Sequence, residues 1–536
     1  MAAKLASMAT IDLNTTQTVL LTLVVALLCL AVEYRDGRAL FTRRRDDLLS
    51  LHGDQHFLLG DLLTMIRNQD RALDRFLALR EKYAASLAKD PSRAITMTVP
   101  GRRMIEISKP EYLEYVQRTN FHNYAKGKTF YKNLTGLLGD GIFCVDGHSW
   151  QLQRKTTARL FTGSNFRNVI TRGLEHNLAR LVTIIGRHAD SGQAFDLADL
   201  FFRFTLSSFT EFAFGQDIAA LSTETDAPVL FAQAFDEGQV IMNGRFTNPF
   251  WPVSEVLNGT RWKMERATRV LDEFAYGIID QREREGRGNF VGSQKKEAAE
   301  TDMLSLYMSL RDEQGAPLSR KMLRDSIFNL IIAGRDTTAQ ALSWTFFHLI
   351  LHPEHVAPIR AEIDELGEKP DLDAFRTMVH TTAAFQEGLR LHPSVPKNAW
   401  EALGDVQIPN GPRIEKGDTV FWSDWIMARD PTIWGDDAKD FKPQRWVENG
   451  ALKKETSWKY HVFNGGYRLC LGQQLALYEA TSVLAALFRE FDFTFAPGYL
   501  DTVQMCEHEY TPMYKGALTL SMAAPLSVRA VRRRRE

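Results

Sequence analysis

Phe463-Asn-Gly-Gly466-Tyr-Arg468-Leu-Cys470-Leu-Gly472 is followed by a helix-periodic run from Gln473 to about Phe491. The paired glycines allow a tight turn and a close backbone approach to something flat. Cys470 stands just before a helix, where free N–H groups and the helix dipole favour a thiolate. Arg468, two residues earlier, is placed to meet a carboxylate on a large ligand. The other cysteines, Cys29, Cys144 and Cys506, form no CxxC pair and no Cys/His cluster. So sparse a set is neither a secreted disulfide framework nor a structural zinc site, and it suits a reducing compartment. Cys144 and Cys506 read as small buried hydrophobes. With 65 Lys+Arg against 66 Asp+Glu, bulk positive charge cannot drive nucleic-acid binding, so no nucleic-acid partner is expected. A chain that is 44% hydrophobic and 24% charged is globular, and its 33 Phe and 10 Trp supply a large core or a large apolar pocket.

A lone cysteine, a nearby arginine and flanking glycines describe an axial thiolate for heme iron, with the arginine on a propionate. At every fixed position the stretch resembles the heme loop of the cytochrome P-450 superfamily. The resemblance covers roughly residues 51–525. It implies a mainly α fold with small β-sheets (α+β), heme b (iron protoporphyrin IX) as cofactor, and Cys470 as the metal ligand, with Phe463, Gly466, Arg468 and Gly472 forming the loop.

Other landmarks follow in the family's order. Arg320 to His352 lacks proline and ends before Pro353, and Ser319 offers an N-cap; as one helix it would span about 50 Å. Ala333-Gly-Arg-Asp336-Thr337-Thr breaks helix propensity in its middle, as happens where function overrides stability. By resemblance this segment crosses the distal heme face, a small-residue kink leaves room for dioxygen, and Asp336 and Thr337 are the catalytic pair that delivers protons. Glu387 and Arg390 match the ExxR pair, completed by Arg445 as a structural triad. Trp150 and Arg154 share a helical face and resemble the propionate-binding WxxxR element. Two departures stand out: no proline-rich hinge occurs in residues 51–63, and Trp400 occupies a position where the family often has a basic propionate ligand. Lys397 is the substitute candidate.

Between Asp12 and Glu33 lie twenty uncharged residues, about the thickness of a bilayer as a helix. This predicts an N-terminal transmembrane helix. The arginines at 35, 38 and 43–45 outnumber Lys4, placing the body on the cytosolic side of a single-pass endoplasmic reticulum protein. The divisions are a membrane anchor at 1–35, a basic linker at 36–50, the heme-thiolate domain at 51–525 and a basic tail at 526–536, read as a frayed, solvated end. Ile95–Val99, Met104–Ile107, Thr419–Phe421 and Ala517–Ser521 read as strands. Residues 285–301 read as an exposed charged loop.

Leu138-Gly-Asp-Gly-Ile-Phe-Cys-Val-Asp-Gly147, Asn248-Pro-Phe-Trp251 and Ser343-Trp344 resemble the fatty-acid ω-hydroxylase clan. The implied reaction inserts one atom of O2 into an unactivated C–H bond at the terminal carbon of a fatty acid, with electrons from a separate membrane NADPH reductase. Phe328, Leu330 and Ile332 are candidates for an apolar tunnel wall, with core packing as the plain alternative. Arg102, after the Pro100-Gly101 turn, is the candidate carboxylate anchor, against a solvated turn arginine. A sterol, an alkane or another small lipophile is the alternative substrate. A hydroperoxide-rearranging enzyme is disfavoured by the Asp336-Thr337 pair, and a non-catalytic heme carrier or sensor is the alternative of another class.

Overall fold

The computed structural model describes residues 15–534 except 34–38, 43–44, 46, 51–54, 91, 93, 162–170, 222–228, 287–301, 312–314, 368–373, 375–376 and 507–510. The expected charged loop therefore lies largely outside the described residues, as do Lys4 and most of the arginines of the basic linker.

Helices dominate. The helices used below are α1 (Thr15–Glu33), α2 (Gly147–Ala158), α3 (Leu197–Phe214), α4 (Leu230–Thr247), α5 (Trp251–Leu257), α6 (Arg320–Ile331), α7 (Thr337–Leu351), α8 (Val379–Leu391) and α9 (Gln473–Glu490). The main core draws on the apolar faces of α3, α4, α6, α7, α8 and α9: Phe201, Phe204, Phe346, Leu484 and Phe488 are all essentially inaccessible. The phenylalanine richness read from composition is spent largely on this core, with Phe346 stacked on Phe488 at 5.0 Å.

The strands β1 (Leu49–Ser50), β2 (Ile95–Val99), β3 (Arg102–Glu106), β4 (Tyr124–Ala125), β5 (Phe195–Asp196), β6 (Asn398–Ala402), β7 (Val406–Gln407), β8 (Arg413–Ile414), β9 (Thr419–Trp422), β10 (Val447–Glu448), β11 (Ala451–Leu452), β12 (Phe491–Phe495) and β13 (Ser527–Arg532) make small sheets. The largest has the order β1-β2-β3-β9-β6-β4, with β2–β3 antiparallel about Gly101 and β3–β9 parallel. Gly101 adopts a φ of +71°, which a side-chain-bearing residue rarely does. A second core of Ile105, Trp400, Val420 and Trp422 lies on one face of this sheet.

Three expectations change. The proline-free span does start at Ser319, whose hydroxyl accepts from Met322 N at 3.2 Å, but it is not one regular helix. A π-turn at Ile332–Asp336 separates α6 from α7. Ala517–Ser521 is not a strand. It folds into tight turns, with Lys515 N on Ser521 O at 2.8 Å, and Gln340 takes up the hydroxyls of Thr519 and Ser521. The basic tail is not frayed: Ser527–Arg532 is a strand between β12 and β5, with Val528 and Ala530 buried. Arg532 and Arg533 pair with Asp190 and Asp364 at 2.6 and 2.8 Å.

At the N-terminus a helix forms where the anchor is expected. Among the described residues, however, no helix is long and apolar enough to cross a membrane, so the structure does not show the predicted span.

Candidate active site

The cysteine loop is folded by close backbone packing. Asn464 and Gly466 take φ of +60° and +54°, reversing the chain twice. A Cβ on Gly465 would lie 2.3 Å from the Trp458 ring, and one on Gly466 would lie 2.6 Å from Gln117 O. The flat partner of these glycines is thus, in part, the protein itself. Cys470 N donates to Phe463 O at 2.8 Å and closes the loop, while Phe463 packs into the main core. The Cys470 thiol has accessible surface, yet burial pushes its pKa up, opposed by the N–H groups of Gly472 and Gln473 and by Arg154. The helix start therefore favours the thiolate as expected, but desolvation outweighs it. Surface that is reachable and also desolvated belongs to a group facing an interior space.

Cations and N–H donors gather beside this thiol. Arg468 lies 3.9 Å over the Trp150 ring and 5.8 Å from those of Phe121 and Trp400, with Nη2 on Asp146 Oδ1 at 2.9 Å. Arg154 donates to Leu469 O at 2.7 Å and lies 5.8 Å over the same Trp150 ring. Among the described residues, the Arg468 Nε and Trp400 Nε1 groups are buried without an acceptor. Burial draws the Arg468 guanidinium down to about 10, although Asp146 opposes the shift. Lys397 is exposed by surface area, yet burial lowers its pKa, so it too faces inward. Lys126, which sequence reasoning missed, donates to Phe143 O; its pKa falls to about 7, first through burial and then through Arg468. Only the pairing of β4 with β6 brings it there, and a single lysine in Tyr124-Ala-Lys-Gly127 gave no local signal.

An inward-facing thiol, ringed by cations and by buried N–H donors lacking acceptors, is a donor set that fits heme b. Cys470 would take the iron, and Arg468, Arg154, Trp400, Lys126 and Lys397 are the groups suited to its propionates.

In the interrupted helix, Ala333, Gly334 and Thr337 keep accessible surface while Arg335, Asp336 and Thr338 are buried. Thr337 Oγ1 donates to Ala333 O at 2.7 Å. Asp336 turns to another face, toward α4: its oxygens accept from Gln239 Nε2 at 2.6 Å and Arg335 Nη1 at 3.0 Å. The same guanidinium reaches Asp236 on α4 at 2.6 Å. The acid and the alcohol are sequence neighbours that this structure does not bring into contact. Burial raises Asp336 to about 6; Arg335 and Gln239 pull against that, and Asp236 adds to it. A second buried carboxyl, Glu479 on α9, is raised to about 8 by burial beside Ser208 and Thr338. Gly334 has a reason other than space for a ligand, because a Cβ there would lie 1.8 Å from the Phe209 ring on α3.

The ExxR triad assembles. Glu387, Arg390 and Arg445 meet at 2.8 and 3.3 Å, and Trp446 Nε1 adds a bond to Glu387 at 2.9 Å. Phe328, Leu330 and Ile332 are buried in the main core, with Phe328 under the Arg324 guanidinium at 4.3 Å. The Leu138–Gly147 motif clamps α6: Cβ atoms at Gly139 and Gly141 would collide with Asp325 and Asn329 at 2.1 and 1.8 Å. Arg102 is not a solvated turn residue. Its Nε is buried without an acceptor, and burial lowers its pKa, with Glu401 in partial opposition.

Residues 56–509 match the family model for cytochrome P450. Cytochrome P450 monooxygenase cyp1 of Mycosarcoma maydis is 41% identical over 503 residues, covering 91% of this chain and 76% of that protein. Cytochrome P450 86B1 of Arabidopsis thaliana is 35% identical over 444 residues (79% and 76%), and cytochrome P450 94A1 of Vicia sativa is 30% identical over 403 (73% and 76%). With the cysteine loop, the propionate-ready donors and the ExxR triad in place, the chain belongs to the cytochrome P450 family and is a heme-thiolate monooxygenase.

Proposed function

We propose that this monooxygenase hydroxylates fatty acids, at or near the terminal carbon, with electrons from a membrane NADPH reductase. The bound heme supplies activation of O2, and the family requires a separate electron donor. Cys470 and the propionate donors would hold that cofactor, while Thr337 keeps accessible surface in the interrupted helix and the Asp336 carboxyl, raised to about 6, would hold a proton that can be supplied.

One observation carries the substrate reading: the buried, acceptor-free Nε of Arg102. Through the register Met104–Thr419–Glu401, Arg102 shares a sheet face with Glu401 and Ala399, on the strand that Lys397 leads into. A desolvated guanidinium whose Nε finds no acceptor among the described residues, and whose Nη2 reaches only the weakly accepting Met104 sulfur at 3.6 Å, stabilises an entering carboxylate, and a charge-assisted bond there is worth about 1.5–3 kcal/mol. The motif resemblance to the ω-hydroxylase clan points the same way. In an optical titration, Arg102→Ala should weaken binding of a long-chain fatty acid by about 10-fold or more and leave the matching alcohol unchanged. Equal losses for both, or none, would remove the carboxylate anchor. Titrations with sterols and alkanes would then come next.

We also propose a membrane setting: a single-pass endoplasmic reticulum protein with its catalytic body in the cytosol. Support comes from the exposed Leu20, Leu23 and Leu28 of α1, and from Phe250, Val253, Leu257 and Trp262 around α5, left bare to solvent. Liposome flotation of the full chain checks it, and Phe250→Ser with Leu257→Ser should reduce the floating fraction. A chain that does not float with lipid would end this reading.

A further inference from the structure

His461, two residues before Phe463, is fully surrounded by protein and bonded at both ring nitrogens. Its Nδ1 lies 2.9 Å from Asp424 Oδ1, and its Nε2 lies 3.1 Å from Gln117 Oε1. The same Gln117 oxygen accepts Gly465 N–H at 3.2 Å. Because a backbone N–H must find an acceptor, that amide atom is the oxygen, and His461 Nε2 must carry a proton. On the other side, one proton is shared between Nδ1 and Asp424, whichever atom keeps it. The Gln117 amide nitrogen has no partner, so only the oxygen of this side chain is used. All three groups are buried: Gln117 is 0% exposed, His461 2% and Asp424 7%. Aromatic walls fix the ring, with Trp422 edge-on at 5.9 Å and Trp458 stacked at 6.3 Å.

The connections run across the chain. Gln117 belongs to the π-turn Tyr115–Thr119, and Asp424 opens the short helix Asp424–Ala428 after β9. His461 O also accepts Asn464 N at 2.7 Å, at the positive-φ residue that begins the loop reversal. One end of the cysteine loop is thus held by His461 and Gly465 on a single oxygen, and the other by the start of α9.

We propose that His461 is a positioning residue for Cys470: the Asp424–His461–Gln117 bridge fixes the loop at the height and tilt that keep the sulfur as a thiolate ligand. It touches neither substrate nor cofactor and acts through the loop.

The test reads the Soret band of the reduced carbonyl complex of the holoprotein, whose position separates thiolate from thiol ligation without any turnover. His461→Gln and Gln117→Leu should each give a several-fold larger thiol-ligated fraction than the parent, and faster conversion on warming. Gln117→Glu should behave as the parent, because its oxygen still accepts both bonds and the lost NH2 group had no partner. Selective 15N labelling of histidine in the same diamagnetic complex should show a protonated His461 Nε2. Parent-like bands in both His461→Gln and Gln117→Leu, or Gln117→Glu as damaging as Gln117→Leu, would overturn the proposal. If the variants do not take up heme, an unprotonated His461 Nε2 in the parent overturns it and a protonated one supports it.

Discussion

Glu387 and Asp336 are both buried carboxylates beside an arginine, and their surroundings differ in one respect. Glu387 receives five donors, from Arg390 Nε and Nη2, Lys442 N, Arg445 Nε and Trp446 Nε1. The backbone carbonyls of Ala428, Ala438 and Asp440 then take up the remaining Arg390 N–H groups. Asp336 has two donors, Gln239 and Arg335, and the carboxylate of Asp236 stands close behind. A closed set of donors stabilises the anion and fixes its neighbours. A sparse set under desolvation moves the balance point of the proton up to about pH 6, close below neutrality. The same residue types thus give a structural clamp in one region and an exchangeable proton in the other.

The clamp should break hardest. Glu387→Gln sets an amide NH2 against buried guanidinium groups and should cost about 3–5 kcal/mol, measured by thermal unfolding, with heme content falling in parallel. Asp336→Asn should spare heme content and the substrate-induced Soret shift while turnover drops by about 10²–10⁴-fold. A variant that unfolds like Glu387→Gln would erase the contrast. Gly334→Ala pushes a methyl into Phe209 beside Asp336 and should cost about 1–3 kcal/mol, partly recovered by Phe209→Leu; unfolding of the single and double variants measures the coupling.

The smallest effect sharpens the comparison through pH. Because the fold raises Asp336 from 3.8 to about 6, it binds that proton more tightly than the unfolded chain does. Its contribution is full below the unfolded value and is lost as pH rises through 6. Relative to Asp336→Asn, the parent should therefore lose about 1–3 kcal/mol between pH 4 and 6 and stay level above, read as the difference in melting temperature.

What was legible follows the range of the signal. The cysteine loop and the ExxR pair are local spacings, and they were readable because their chemistry needs residues only a few positions apart. Arg445 was found by resemblance, and the structure gives its cause: Glu387 has oxygen lone pairs to spare once Arg390 is bonded. The break in the proline-free helix was legible in the propensity-breaking run that starts at Ala333, but its π geometry was not, since such a run is equally consistent with a simple bend. Gln239, Asp236 and Lys126 reach the site through helix packing and strand pairing, which leave no mark at their own positions. In Ser527-Val-Arg-Ala530 a short period-two alternation was present, but the arginine count hid it and the stretch read as a solvated tail. At Ala517–Ser521 the opposite happened: an apolar stretch suggested a strand where side chains of the distal helix instead hold a series of turns.

The β13 strand also sets an order of events during synthesis. It pairs with Phe195 and Asp196, made far earlier, and with β12, made just after the cysteine loop and α9. Until residues 527–532 are free of the ribosome, β5 and β12 both present an open edge, β5 awaiting Ser527 and Val528 and β12 the length of the strand to Arg532. Late closure across so large a sequence separation slows folding and exposes intermediates to aggregation. A chain truncated just before this strand should therefore keep its helices yet aggregate more on refolding than the full chain, as light scattering would read.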